Sequence, residues 1–172
     1  MADNEDDLDE LVLEETTGQL SLAYRVRDLR PDDLTELDWS GGPTHIDALA
    51  RAVQRSYAGE VAVLVITVGG RAVAVGAVDF TRRTGAGELT MLSVHEWWQS
   101  LGLGTILIRA LEERVRSVEL SRATIGVEHD NPQAEALYRR LGYHRIGAEL
   151  DGWPTGPGRS YATVSFILER TL

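Results

Sequence analysis

The segment richest in potential chemistry runs from Glu88 to Thr105, where an apolar run ending at Val94 leads through Gln99, Gly102 and Gly104 into a helical pattern. Strand, glycine-bearing turn and helix start, in that order, suit a phosphate. The first turn of a helix presents unpaired N–H groups and the positive end of the macrodipole, and glycines let a pyrophosphate approach the backbone. The turn is no Walker loop, because the Gly-Lys-Ser/Thr ending is missing. It is no dinucleotide fingerprint either, because the third glycine of G-x-G-x-x-G falls at Leu107. By itself a G-x-G is equally a plain strand-to-helix connection. Thiol chemistry is excluded, since the chain has no cysteine. The four histidines (His45, His95, His129, His144) never fall at the spacing of a helical zinc site, so no metal is expected.

A second pattern lies downstream, where Asn131, Ala134, Leu137, Tyr138, Gly142 and Tyr143 follow the spacing Asn-x-x-Ala-x-x-Leu-Tyr-x-x-x-Gly-aromatic. With Gln99-x-x-Gly102-x-Gly104 before it, the chain resembles the GNAT superfamily of N-acetyltransferases, whose motifs A and B have these spacings in this order. The resemblance covers roughly residues 21 to 170, its specific part 88 to 143. It implies an α/β (α+β) fold: a mixed, mostly antiparallel sheet of six to seven strands flanked by helices, the fourth and fifth strands parallel and splayed. Acetyl-CoA, the implied cosubstrate, would lie in the splay. The main chain of Leu92, Ser93 and Val94 would pair with pantetheine as an extra strand does. The turn formed by Gln99, Ser100, Leu101, Gly102, Leu103, Gly104 and Thr105 would hold the pyrophosphate. The family often has glycine and then a basic residue after the glutamine. Here Ser100 and Leu101 stand there, which implies weaker CoA binding unless another arginine supplies the charge.

Asn131 before Pro132 is the preferred order for a helix N-cap and first helical residue, and the resemblance adds a cofactor contact to that structural role. Tyr138 shares an i, i+3, i+4, i+7 stripe with Ala134, Leu137 and Leu141, the place of an ordinary core aromatic. The resemblance instead makes it the acid that protonates the departing CoA thiolate, a task suited to a phenol of pKa about 10. The attacking amine must also lose a proton, because an alkyl ammonium is neutral in only about one molecule in 2,500 at pH 7. Glu88 is the candidate base. It lies six residues before Val94, so strand alternation predicts one face for Glu88, Thr90, Leu92 and Val94. This register resembles that of the glutamate base of histone acetyltransferases, although a solvated acid at a strand start explains it equally. Glu128 and His129 are the reserves. Trp98 is read as packing beneath the turn, whereas Trp39, Trp97 and Trp153 are candidates to line an acceptor pocket, with ordinary partial burial as the alternative.

Positioning these residues takes a series of alternating elements. Ser21–Leu29 reads as a strand, Pro31 opens a short helix, and residues 46–57 carry helical periodicity. Val61–Val68 and Arg71–Phe80 flank Gly69-Gly70, the signal for a hairpin with a primed turn. Further strands are predicted at 88–94, 123–128, 143–150 and 161–170, helices at 104–118 and 131–141, and a loop at 151–160, where glycine and proline concentrate.

At 172 residues the chain suits one domain, and no apolar run approaches the roughly 20 residues of a membrane span. Eight acids precede the first base, Arg25, so the net charge of −10 falls to −2 over residues 25–172. Residues 1–20 are therefore expected to be an acidic, disordered tail and residues 21–172 the single acetyltransferase domain. An acidic chain without a basic patch disfavours nucleic acid, and the acidic start is unlike a secretory signal, so a cytoplasmic location is expected. The expected activity is direct transfer of an acetyl group from acetyl-CoA to a primary amine: a small molecule, a peptide N-terminus or a lysine. A homodimer is left open. The alternatives are an acyl-CoA-binding sensor or interaction module of the same fold, and an α+β domain in which the motif matches are coincidence.

Overall fold

The computed structural model describes residues 21–156 and 158–172, the side chains of 153–156 excepted. The acidic stretch 1–20 lies outside the described residues. Runs of β-branched residues build seven strands: β1 (Tyr24–Asp28), β2 (Val61–Val68), β3 (Arg71–Arg83), β4 (Ala86–Val94), β5 (Arg122–Glu128), β6 (His144–Gly156) and β7 (Arg159–Thr171). They form one sheet in the order β1-β2-β3-β4-β5-β7-β6. Among the described strands only β4 and β5 run parallel. A 3-10 turn at Pro31–Glu36 and helix α1 (Pro43–Ser56) follow β1. Helix α2 (Leu103–Ser117) joins β4 to β5, and α3 (Pro132–Arg140) joins β5 to β6.

Strand alternation divides the apolar side chains between two cores. Val63, Val65, Val75 and Ala77 pack with Leu49 and Val53 of α1. Leu64, Ile66, Val78 and Ile125 pack with Leu107, Leu111 and Val115 of α2 on the other face. Strands covered on both faces lose their polar alternation, which is why β2 and β3 read as continuous apolar runs. Gly69 and Gly70 carry φ of 57° and 86°, as the primed turn between β2 and β3 requires.

The loop expected at 151–160 is instead the end of a hairpin: β6 continues to Gly156 and pairs with β7 through Gly152↔Ala162 and Pro154↔Ser160. Proline is tolerated because β6 is an edge strand. Glycine at 152 answers a close approach, since a Cβ there would lie 2.5 Å from the Tyr161 carbonyl oxygen.

The region between β4 and β5 departs from regular pairing in two ways. The two strands pair only at Gly87↔Ala123, Glu88↔Thr124 and Leu89↔Ile125. Beyond that point β4 stays with β3 as far as Val94↔Ala74, and β5 stays with β7 as far as Glu128↔Ser165, so a wedge opens between them. Second, β4 bulges: Thr90 pairs with Ala77 and Ser93 with Val75, so Met91 and Leu92 together oppose Gly76, and Met91 takes φ 55°. The extra residue corrects the register expected from simple alternation. Leu92 and Val94 join Leu89 on the α2 face, whereas Glu88 pairs with Asp79, which Arg55 of α1 reaches at 2.6 Å on the opposite face.

Candidate active site

Two cavities meet at Tyr138. The first, about 490 Å³, lies between the end of β4, the start of α2 and α3. Leu92, Ser93, Val94, Gln99, Ser100, Gly102, Leu103, Gly104, Thr105 and Asn131 line it; Leu101 does not, and is 58% exposed. The turn is closed by Gln99, whose Nε2 donates to the Val94 carbonyl at 3.1 Å. Ser100 and Gly102 adopt φ of 62° and 81°, which brings the chain abruptly onto the helix axis. The first intrahelical bond runs from Ile106 N–H to Gly102 O, so the N–H groups of Leu103, Gly104 and Thr105 have no helical partner, and no described side chain caps them. Free N–H donors at the positive end of a helix dipole can hold an anion. His95 N–H bonds Val73 O at 2.9 Å, and ladder alternation therefore turns the N–H of Val94 away from β3, towards the wedge.

Arg140, which the sequence motifs do not single out, also lines this cleft. It closes the i, i+4, i+7 row Gln133, Leu137, Arg140 that α3 presents to this cleft. It is exposed and has no ion pair among the described residues. That helical spacing was the available signal.

The second cavity is a trough of about 340 Å³ that shares Leu92, Asn131, Ala134 and Tyr138 with the first. It runs among Glu88–Met91 of β4, Gly126–Glu128 of β5 and Glu149–Asp151 of β6. Tyr138 is 8% exposed, its hydroxyl has no hydrogen bond to any described residue, and burial pushes its pKa up to about 12. The phenol at the junction is therefore a neutral donor throughout the range in which proteins work.

Glu88 borders the trough, although the bulge separates it from the face of Leu92 and Val94. It is nine-tenths buried, with Arg83 Nη2 at 3.5 Å from Oε1. Arg82 Nε comes to 3.1 Å from Oε2 without hydrogen-bond geometry, and Oε2 has no hydrogen-bond partner among the described residues. Of the reserves, Glu128 borders the trough and accepts the Tyr161 hydroxyl at 3.0 Å; His129 does not border it. Asn131 Oδ1 caps α3 by accepting Ala134 N–H at 3.1 Å, while the residue borders both cavities.

Trp98 packs as expected, whereas Trp39 and Trp97 do not border the trough. Trp98 packs on the α2 core and borders the first cleft. Trp39 and Trp97 flank His95, with ring centroids 5.2 and 5.4 Å from it, in a separate hollow that does not include Tyr138. The side chain of Trp153 lies outside the described residues.

A family model described as "Acetyltransferase (GNAT) family" matches residues 24–143. A Danio rerio protein named "Probable N-acetyltransferase 14" is 34% identical over 83 residues, 48% of this chain; the match spans only 29% of that protein's length. An IAA acetyltransferase from Bacillus cereus superposes with TM-score 0.66 at 18% identity, covering 87% of this chain and all of the other. The PaiA N-acetyltransferase from Thermoplasma acidophilum, solved in complex with coenzyme A, superposes with TM-score 0.64 at 13% identity, covering 88% of this chain and all of the other.

Proposed function

Because the chain belongs to the GNAT family of acetyltransferases, we propose that residues 21–172 act as one catalytic domain that moves an acetyl group from acetyl-CoA directly to a primary amine. The observation that carries this is the junction at Tyr138 of a cleft with an anion seat and a trough rich in carboxylates. The free N–H groups of Leu103, Gly104 and Thr105 suit the pyrophosphate of CoA. The unpaired edge of β4 at Val94 suits pantetheine, which carries amides of its own. Arg140 supplies the cation that Ser100 and Leu101 do not. An acyl-CoA sensor without chemistry drew its support from that missing charge, and Arg140 weakens the ground.

In this mechanism the amine nitrogen enters from the trough and attacks the thioester carbonyl carbon; the C–S bond breaks and the thiolate takes the proton of Tyr138. Before the attack Glu88 takes one proton from the entering ammonium at Oε2, an oxygen without a hydrogen bond to any described residue, which frees the amine lone pair. The second proton, lost from nitrogen as the amide forms, restores the Tyr138 phenol. The chain has no cysteine to carry an acyl intermediate, consistent with direct transfer. Bound geometry contributes by holding amine and thioester together on either side of one side chain.

Thermal unfolding with and without ligand tests the first half of the proposal. Acetyl-CoA at 100 times its dissociation constant should add about 2.7 kcal/mol to stability, desulfo-CoA the same, and ATP far less. Arg140→Ala should weaken CoA binding about 5- to 10-fold, and the deficit should shrink as salt is added, as expected for one lost phosphate contact. No shift with millimolar CoA would refute the assignment. An unchanged affinity in the Arg140 variant would leave the helix N-terminus as the sole seat for the phosphates.

A further inference from the structure

We infer that the acceptor is a small amine carrying a second positive charge, recognised by Glu128 and Asp151; this rests on the acetyltransferase reading above. An amine that reaches Tyr138 from the trough meets four carboxylates (Glu88, Glu128, Glu149, Asp151) and two guanidiniums (Arg82, Arg83). The charges are unevenly distributed. Arg83 is consumed on one side: it grips Glu149 with two bonds of 2.6 and 2.7 Å and reaches Glu88 at 3.5 Å. Arg82 leans on Glu88. The cations of the trough thus neutralise Glu88 and Glu149.

Glu128 and Asp151 are left over. Neither has an ion pair among the described residues. Among the described residues Glu128 accepts a neutral hydroxyl, from Tyr161 at 3.0 Å. Asp151 accepts the Gly152 N–H at 2.8 Å and a long contact from Ser165 at 3.5 Å. Two carboxylates without a counter-cation, bordering a cavity that leads to the proton donor, complement a cation held away from the reacting nitrogen. Glu88, which borders the same trough, has no hydrogen bond to any described residue at Oε2, although Arg82 Nε lies 3.1 Å away, and is the base that the reacting nitrogen would meet. One acceptor with two cationic centres satisfies both ends: one nitrogen at Glu88 and Tyr138, the other at Glu128 and Asp151. A zwitterionic amino acid fits poorly, because its carboxylate would meet that second, unpaired anionic end.

Steady-state acetyl transfer from acetyl-CoA to 1,4-diaminobutane, n-butylamine and 4-aminobutanoate, which have the same chain length, tests this. The diamine should exceed butylamine in kcat/KM by about 10-fold or more, chiefly through KM, and the amino acid should be the poorest. In the double variant Glu128→Gln/Asp151→Asn the diamine-to-butylamine ratio should collapse towards one. Equal use of diamine and butylamine, or a ratio that survives the double variant, would overturn the assignment. A preference for 4-aminobutanoate would also overturn it, by making Arg82 the recognition group. No turnover with any of the three, in protein that acetyl-CoA still stabilises against heat, would refute a small dicationic acceptor while leaving CoA binding in place. No turnover together with no thermal shift would instead refute the underlying acetyltransferase reading.

Discussion

Replacing Tyr138 by phenylalanine is expected to lower kcat by at least about 100-fold while the dissociation constant for CoA changes by less than about twofold. The structure makes this a clean substitution. The ring sits in the α2 core, but its hydroxyl has no hydrogen bond to any described residue, so phenylalanine removes the proton and little else. The melting temperature should therefore hold, and equal turnover in wild type and variant would exclude Tyr138 as the acid.

The same residue predicts a pH response. With its pKa pushed up to about 12 by burial, Tyr138 stays protonated well above neutrality, so it should give the rate no falling limb below about pH 11. Stability should behave differently. A tyrosine in the unfolded chain ionises near pH 10 while the folded one does not, so stability present below pH 10 is lost as the pH rises towards 12. For Tyr138 this loss amounts to at most about 2–3 kcal/mol. Burial and the neighbouring Glu112 push Tyr143 up in the same direction. Since all 17 bases of the chain are arginine, tyrosines are the side chains that titrate in this window. Urea midpoints at pH 9 and pH 11 should differ, and by less in Tyr138→Phe.

The largest expected loss of stability comes from Glu112→Ala. Glu112 of α2 is fully buried, and four hydrogen bonds converge on its carboxylate. Arg170 of β7 reaches both oxygens at 2.8 Å, the Tyr143 hydroxyl donates at 3.0 Å, and Arg109 Nη1 lies at 2.8 Å. Burial holds its pKa above the ordinary carboxylate range, against the pull of Tyr143 and Arg109. Removing it strands a largely buried guanidinium and leaves a void between α2 and the sheet. Breaking a buried pair from one side costs about 3–5 kcal/mol. Arg109, at 43% exposure, regains water and contributes little of this. A domain of this size should lose roughly 6–20 °C in melting temperature. The double variant Glu112→Met/Arg170→Met should recover most of it, because no charge is then stranded. If the single variant melts within about 2 °C of the wild type, the network is not holding α2 to β7.

Much of the fold was legible because its signals are local. The Gly-Gly turn, the Asn131-Pro132 cap and the periodicities of β2, β3, α1 and α2 each concern a few adjacent residues, and the structure has those elements close to where the patterns put them. The end of the β6–β7 hairpin was misread for the converse reason. Its glycines and proline have turn-like propensities, which edge-strand pairing with β7 overrides.

For the candidate site, the sequence by itself determined the turn at the start of α2: Gln99 closes it with one local hydrogen bond, and Ser100 and Gly102 shape it through backbone conformation, both set within a few residues of chain. Tertiary structure decided the rest. The bulge at Met91, one residue's worth of slack between β3 and β4, moves Glu88 to the face opposite Val94 and breaks the alternation from which its position was inferred. Arg140 lines the same cleft as the turn only because α3 packs beside the start of α2. Which carboxylates of the trough keep an unbalanced charge depends on Arg83 reaching Glu149, 66 residues away, and not Glu128 or Asp151. Conformation at a glycine or a cap is a property of neighbours in the chain, whereas charge balance in a cavity is a property of neighbours in space.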